Sequence, residues 1–398
     1  MLAVNNNNPP LKDSPRILVA DDQTDVLEAV RLLLKNEGFE FDLVSSPAAV
    51  LQKLECAEYD LLLMDLNYAR DTTSGQEGLD LLCRVKEFDG SLPVVVMTAW
   101  GTIPLAVETM QHGVGDFIQK PWDNARLLEI LRTQVAQGRL RREDLRRQRM
   151  QEQEMEEARE IQRHLIPRAL PQFPGFNLAA AWRPARMVSG DCYDILPFQE
   201  GQFALCIADV AGKGMPAALL MSNLQAAVRA FASIQSTPRN LCLRLNRMIS
   251  GNVLGERFIT FFYARVDGWR HQLVYSNAGH NFPVLRRHNG DLLRLGGGGP
   301  VLGILEESDY REETVELKPG DRLLLFTDGV TEAMNSAGEQ FGETRLLELL
   351  HAHASHPVET FTNQIMFLLE QFSQGEFHDD ATLVALDVLS ESHQDSHA

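Results

Sequence analysis

Carboxylates, a hydroxyl and a lysine stand where short apolar runs end. Asp21 and Asp22 follow Ile17 to Ala20, Asp65 follows Leu61 to Met64, Thr98 follows Val94 to Met97, and Lys120 comes after Phe117 and Ile118. If the runs are strands of one open α/β sheet, their carboxyl ends share a crevice, and the three acids, the hydroxyl and the lysine become neighbours. Three carboxylates in one crevice repel and raise one another's pKa, so the cluster calls for a hard cation such as magnesium. Each residue alone could be a helix cap or a surface ion partner. Five of them at matching strand ends point to one site.

A second set of acids lies further along. Asp191 and Asp194 occur in "VSGDCYD", Asp209 in "CIADVAGKGMPAALLMS", Asp328 in "LLLFTDGVTEA", and Asp379 and Asp380 in "FHDDATLVAL". Gly212 and Gly329 mark turns after the runs that end in Asp209 and Asp328, where a sheet can aim carboxylates into a cleft. Converging carboxylates, with no His or Cys at zinc spacing, favour manganese or magnesium over zinc. Two such ions about 4 Å apart can supply an activated water and steady both oxygens of an in-line displacement, which hydrolyses phosphate monoesters without a covalent intermediate. Arg186, five residues before Asp191, is either a phosphate-binding candidate or a surface arginine.

These residues need two different scaffolds. From Arg16 to about Gln137, strand-like runs alternate with helical patterns, which predicts a parallel α/β sheet. Between Gly138 and Pro167 the composition turns to Arg, Glu and Gln, and Ala158, Ile161 and Leu165 share one helix face. Arginines dominate 139 to 149 and acids 152 to 160, which fits a solvated helix or charge-matched helix pairing in a homodimer. After Pro167, short runs at Phe203 to Ile207, Phe258 to Arg265, Leu323 to Thr327 and Ala381 to Leu386 predict an α+β domain with antiparallel sheets. The boundaries expected are 14–137, a helical, possibly coiled-coil linker at 138–168, a second domain at 169–390, and a loose tail at 391–398.

Composition bounds the function. A chain of 398 residues with 44% hydrophobic and 23% charged residues suits two globular domains. A net charge of −18 argues against a DNA-binding surface, and no helix-turn-helix with a basic face follows the first domain. "LGGGGPVLG" lacks the lysine of a phosphate-binding P-loop. The five cysteines are scattered, as in a reducing compartment. No apolar run reaches the ~20 residues of a membrane span, and the start is no signal peptide, so a cytoplasmic protein without membrane attachment is expected.

"ILVADDQ", "LLLMDLN", "VVVMTAW" and "DFIQKPW" resemble the receiver domains of response regulators over about residues 16 to 137. The resemblance implies a flavodoxin-like fold in which Asp65 accepts a phosphoryl group from a sensor histidine kinase. It implies Mg2+ on Asp22, Asp65 and the Asn67 carbonyl, with Asp21 acting through water. Lys120 would neutralise the phosphoryl oxygens, and Thr98 would reach toward the aspartyl phosphate with Phe117 reorienting as the switch. The segment "DLNYARDTTSGQEG" is longer than the usual receiver loop and lacks its Met-Pro, which bears on kinase pairing and phosphoryl lifetime.

Residues 155 to 388 resemble the bacterial metal-dependent PPM/PP2C-like protein phosphatases of the sporulation and stress-response type, with "EEAREIQRHLIP" as their lead-in helix. The resemblance implies a PP2C-like α/β sandwich that holds two Mn2+ or Mg2+ on Asp191, Asp209, Asp328 and Asp379 with the Val210 carbonyl. Asp194 and Asp380 would support these ligands from outside. In "NAGHNFPVL", also shared with the family, Gly279 and His280 shape a turn rather than perform acid catalysis. Cys192 replaces a usual bulky aromatic residue and Ser189 a frequent glycine. The implied function is a response regulator whose receiver controls a phosphoserine/phosphothreonine phosphatase acting on an anti-anti-sigma, STAS-type protein. The alternative is a catalytically inactive adaptor that binds a sigma-factor regulator, which would be marked by degenerate ligands.

Overall fold

The computed structural model describes residues 14–68, 76–98, 112–167, 169–199, 201–251 and 257–390. Part of the long segment after Asp65, at 69–75, residues 1–13 and the expected loose tail at 391–398 lie outside the described residues. The chain divides into two compact units, Met1–Glu152 and Gln153–Ala398. Among the described residues, no helix is long and apolar enough to cross a membrane.

The first unit runs β1 (Arg16–Ala20), α1 (Thr24–Asn36), β2 (Glu40–Val44), α2 (Pro47–Cys56), β3 (Leu61–Asp65), α3 (Gln76–Phe88), β4 (Val94–Thr98), β5 (Asp116–Gln119) and α4 (Asn124–Leu165). Its strands are parallel in the order β2-β1-β3-β4-β5. β3 and β4 are apolar at nearly every position because helices cover both faces of the sheet. Leu18, Leu62 and Val96 pack with Val50 and Leu82 on one side. Ile17, Leu61, Leu63 and Val95 pack with Leu34, Leu127 and Leu131 on the other.

The connecting helix does not begin at Gly138. α4 is one helix of 42 residues that starts at Asn124. Gly138 does not break it; a Cβ there would lie 2.3 Å from the Pro93 ring, so the glycine serves close packing. Arg139 pairs with Asp60 at 2.9 Å and Arg142 with Asp89 at 3.1 Å, which carries the packing of the first unit past the change in composition. Beyond these anchors, residues 143–154 are all exposed.

The second unit contains β6 (Phe176–Arg183), β7 (Cys192–Gln199), β8 (Gln202–Val210), α5 (Met215–Phe231), α6 (Pro238–Ser250), β9 (Ile259–Asp267), β10 (Gln272–Ala278), β11 (Val284–Arg286), β12 (Leu292–Arg294), β13 (Gly298–Gly299), β14 (Glu313–Glu316), β15 (Arg322–Phe326), α7 (Asp328–Thr331), α8 (Gly342–Ala352), α9 (Val358–Phe372) and β16 (Ala381–Val388). One sheet has the order β13-β10-β9-β8-β7 with β14 also on β10, and the other β12-β11-β15-β16-β6. All pairings are antiparallel except β10 with β13. Ile207, Phe261, Leu323, Leu325, Val384 and Leu386 fill the space between the sheets. Alternate residues Leu324, Phe326, Leu383 and Ala385 face Leu346, Phe361 and Ile365 of the outer helices. This is the α/β sandwich expected, and it places the ends of β8 and β15 where carboxylates from both sheets can meet.

Candidate active sites

Parallel strands bring the receiver residues to one edge. One carboxylate oxygen from each of Asp21, Asp22 and Asp65 lies within 4.8 Å of the others. The Lys120 ammonium is 2.5 Å from Asp21 Oδ2 and 2.9 Å from Asp65 Oδ2. Burial would lower the Lys120 pKa, but the two carboxylates outweigh it and leave it raised. Burial raises the Asp21 carboxyl in spite of the Lys120 bond. Asp65 is oriented by the Leu66 amide, which donates to its Oδ1 at 2.7 Å. Asp22 Oδ1, Asn67 Oδ1, the Tyr68 hydroxyl and Glu77 Oε2 are buried without hydrogen-bond partners. Orphaned oxygens beside three acids suit a hard cation with its water. Thr98 is buried at the end of β4, and its carbonyl accepts the Lys120 amide at 2.7 Å. Phe117 is 37% exposed.

In the sandwich, hydroxyls from one sheet grip an acid from the other. Thr327 and Thr382 donate to Asp191 Oδ2 at 2.7 and 2.6 Å. Asp209, near the end of β8, is pushed up to about 7 by burial and then by Asp328, Asp379 and Asp380. Burial, Asp209 and Asp380 hold Asp191 well above the usual carboxylate range, and burial with Asp379 and Glu332 raises Asp328. The four expected ligands therefore form one electrostatic cluster, although among the described residues no three of its acids are drawn within 4.8 Å as in the receiver. Oxygen donors that retain protons against their own repulsion fit divalent cations, which would replace those protons. The Val210 carbonyl faces Gly190, where an added Cβ would lie 3.1 Å from it.

The surrounding contacts sort the remaining candidates. Asp380 accepts from the Ala185 and Gly190 amides, both at 2.7 Å, and so secures the turn that leads into Asp191. Arg186 is exposed on that turn. Ser189 Oγ accepts the Asp191 amide at 3.0 Å, a contact glycine could not make. Cys192 is buried and its thiol pushed up by burial. Asp194 does not support the cluster as expected. Its Oδ1 accepts the Ile195 amide at 3.0 Å, and its Oδ2 is taken by Arg229 at 2.6 Å. His280 is buried, 2.8 Å from the Thr260 hydroxyl, and burial lowers its pKa to about 4, consistent with a neutral turn residue.

Sequence reasoning missed Thr327, Thr382, Lys213, Tyr68 and Gln162. The two threonines had a signal: Thr327 adjoins Asp328, and Thr382 lies two residues after Asp380, each hydroxyl at the end of an apolar run. Lys213 pairs with Asp379 at 2.7 Å and donates to the His378 carbonyl at 2.6 Å. Its position in a Gly-Lys-Gly turn held no such hint.

Comparison with known proteins finds matches for both units. Residues 199–389 match the family described as Stage II sporulation protein E (SpoIIE), and residues 17–132 match the response regulator receiver domain. The chain is 33% identical over 231 residues to the phosphoserine phosphatase RsbU of Bacillus subtilis, spanning 58% of this chain and 68% of that protein. It is 30% identical over 256 residues to protein IcfG of Synechocystis sp., spanning 57% of this chain but 40% of IcfG. The receiver is 31% identical over 121 residues to the transcriptional regulatory protein FixJ of Bradyrhizobium diazoefficiens, 30% of this chain and 57% of FixJ. The SiaA-PP2C domain of Pseudomonas aeruginosa superposes with a TM-score of 0.54 at 23% identity, covering 60% of this chain and 98% of that domain, a likeness of fold.

Proposed function

The chain belongs to the phosphatase family of stage II sporulation protein E and RsbU, joined to a response-regulator receiver domain, and from this we propose that receiver phosphorylation at Asp65 controls hydrolysis of phosphoserine or phosphothreonine by the sandwich unit. The observation that carries the reading is the convergence of buried acids from both sheets: burial, Asp209 and Asp380 raise Asp191, burial, Asp328, Asp379 and Asp380 raise Asp209, and burial, Asp379 and Glu332 raise Asp328. Repulsion of this kind is tolerated where cations are held.

Mn2+ or Mg2+ held by Asp191, Asp209, Asp328 and Asp379 with the Val210 carbonyl would supply the activated water and neutralise phosphoryl charge. Thr327 and Thr382 aim Asp191. Asp380 fixes the 185–190 turn, so that Arg186 can take the substrate phosphate. The substrate is a phosphorylated anti-anti-sigma, STAS-type protein; the phosphoserine it carries is supported by the phosphoserine phosphatase RsbU as relative. In the receiver, Asp22, Asp65, Asn67 and, through water, Asp21 would hold Mg2+. An Asp65 oxygen attacks the phosphorus of a sensor kinase's phosphohistidine, and the histidine nitrogen leaves. Lys120 balances the charge on the transferred group, while Thr98 and Phe117 report it. The protein works in the cytoplasm, and the exposed stretch of α4 is the surface for homodimer pairing.

The test is Mn2+-dependent hydrolysis of p-nitrophenyl phosphate and of a phosphoserine STAS-type protein, with and without beryllofluoride. Metal-dependent turnover that changes with beryllofluoride supports the switched phosphatase. No turnover in any state replaces it with the inactive adaptor.

A further inference from the structure

Three residues after the phosphoacceptor, the first unit buries a tyrosine. Tyr68 is 3% exposed and belongs to one core cluster with Leu66, Leu81 and Leu82. Among the described residues its hydroxyl has no hydrogen-bond partner. Phenylalanine would fill the same space without that cost, since a buried hydroxyl left unpaired destabilises the fold. The phenol stands among acids. Burial, then Asp65, Asp21, Asp22 and Glu77, push its pKa up, so the proton stays on the oxygen and the group remains a donor.

Glu77 reaches this place because α3 starts close against the residue after Asp65. The Gly78 amide donates to the Leu66 carbonyl at 3.1 Å, and a Cβ on Gly78 would lie 2.4 Å from that oxygen. Glu77 Oε2 is buried and unpartnered, as are Asp22 Oδ1 and Asn67 Oδ1. A buried donor and buried acceptors that do not bond one another directly are matched by water, which needs two to four polar partners. Glu77 also adds a fourth carboxylate to the three that face the single Lys120 ammonium, and so strengthens the attraction for a dication.

We propose that Tyr68 and Glu77 are positioning residues of the receiver: hydroxyl and carboxylate together hold a water of the cation bound by Asp22, Asp65 and Asn67, and so set the Mg2+ affinity on which phosphorylation of Asp65 depends. The proposal rests on the receiver reading above. It gives a role to the segment from Asp65 to Gly78, which departs from the usual receiver loop and supplies one of the two groups near each end.

The experiment uses the full-length chain and beryllofluoride, and reads the Mg2+ concentration at which the bound 19F resonances reach half their height. Tyr68→Phe removes only the hydroxyl, and Glu77→Gln removes only the charge. The expected result is a midpoint at least about ten-fold higher in each variant, with the double variant well short of the product of the two because they share one water. In EDTA, Tyr68→Phe should melt no earlier than the parent, since the hydroxyl it loses is unpaired without the cation. Earlier melting would make the hydroxyl a structural group and overturn the proposal. An unmoved Mg2+ midpoint in both variants also overturns it while the receiver reading stands. So does a loss of beryllofluoride affinity confined to saturating Mg2+ with the midpoint unmoved, which would put the hydroxyl on the phosphoryl group instead. No bound resonance in the parent at any Mg2+ concentration overturns the receiver reading and the proposal together.

Discussion

Asp191 is aimed before any cation arrives, because two threonine hydroxyls hold one of its oxygens. Thr382→Val removes one of them from a buried site. The expected cost is about 1.5–3 kcal/mol in urea unfolding, together with roughly 10- to 100-fold weaker Mn2+ dependence of hydrolysis; an unaltered Mn2+ titration would detach Thr382 from the centre. Asp209 gives a pH dependence with a definite sign. Its folded value is about 7 against an ordinary 3.8, so between these values the folded metal-free chain keeps a proton that the unfolded chain has released. Its contribution to stability therefore falls as pH rises through that window, and Mn2+ should restore it. Thermal midpoints in EDTA between pH 5 and 8 test this, since Asp209→Asn should flatten the decline. The acids were legible in the sequence because residue type and a neighbouring apolar run suffice to suggest a ligand at a strand end. Their partners were not. Thr382 reaches Asp191 from 191 positions away, and the capture of Asp194 by Arg229 depends on which face of β7 meets α5.

At the scale of elements, β3 and β4 were readable as buried strands from their continuous apolar runs, and the alternation of helix and strand was enough for a parallel sheet. The extent of α4 was not, because composition changes at Gly138 while the backbone carries on. No proline stops the helix there, and packing against Pro93 asks for a residue without a Cβ. Gly138→Ala sets two effects against each other. Alanine gains up to about 1 kcal/mol in helix propensity, but its methyl would lie 2.3 Å from Pro93 Cγ, and overpacking of a tight contact costs about 1–3 kcal/mol. The clash should win, and the receiver should unfold at lower temperature in Gly138→Ala. A raised midpoint would mean that the ring moves aside and that the glycine has no packing role. The exposed stretch relies on local pairs such as Glu143–Arg147 at 2.7 Å, each worth only a few tenths of a kcal/mol. Exposure of that kind fits an element held by what it joins rather than by its own interactions.

For the whole molecule, two carboxylate clusters in two units predict two separable metal-dependent events. Asp328 belongs to the sandwich cluster and is repelled by Asp379 and Glu332. Asp328→Asn should lower Mn2+-dependent hydrolysis by roughly 100-fold or more and leave the metal-free fold at least as stable, since a repelling charge has gone. The same variant should still take up beryllofluoride on Asp65 in the presence of Mg2+, seen as bound resonances in 19F spectra, because the receiver acids are untouched. Asp65→Asn should show the converse, losing those bound resonances and any effect of beryllofluoride on turnover. Coupling between the units requires that the wild-type chain show both signals and that beryllofluoride alter kcat. If it binds with no change in kcat, the receiver does not govern this phosphatase, and α4 joins two independent activities. If turnover survives in Asp328→Asn, Asp328 leaves the ligand set.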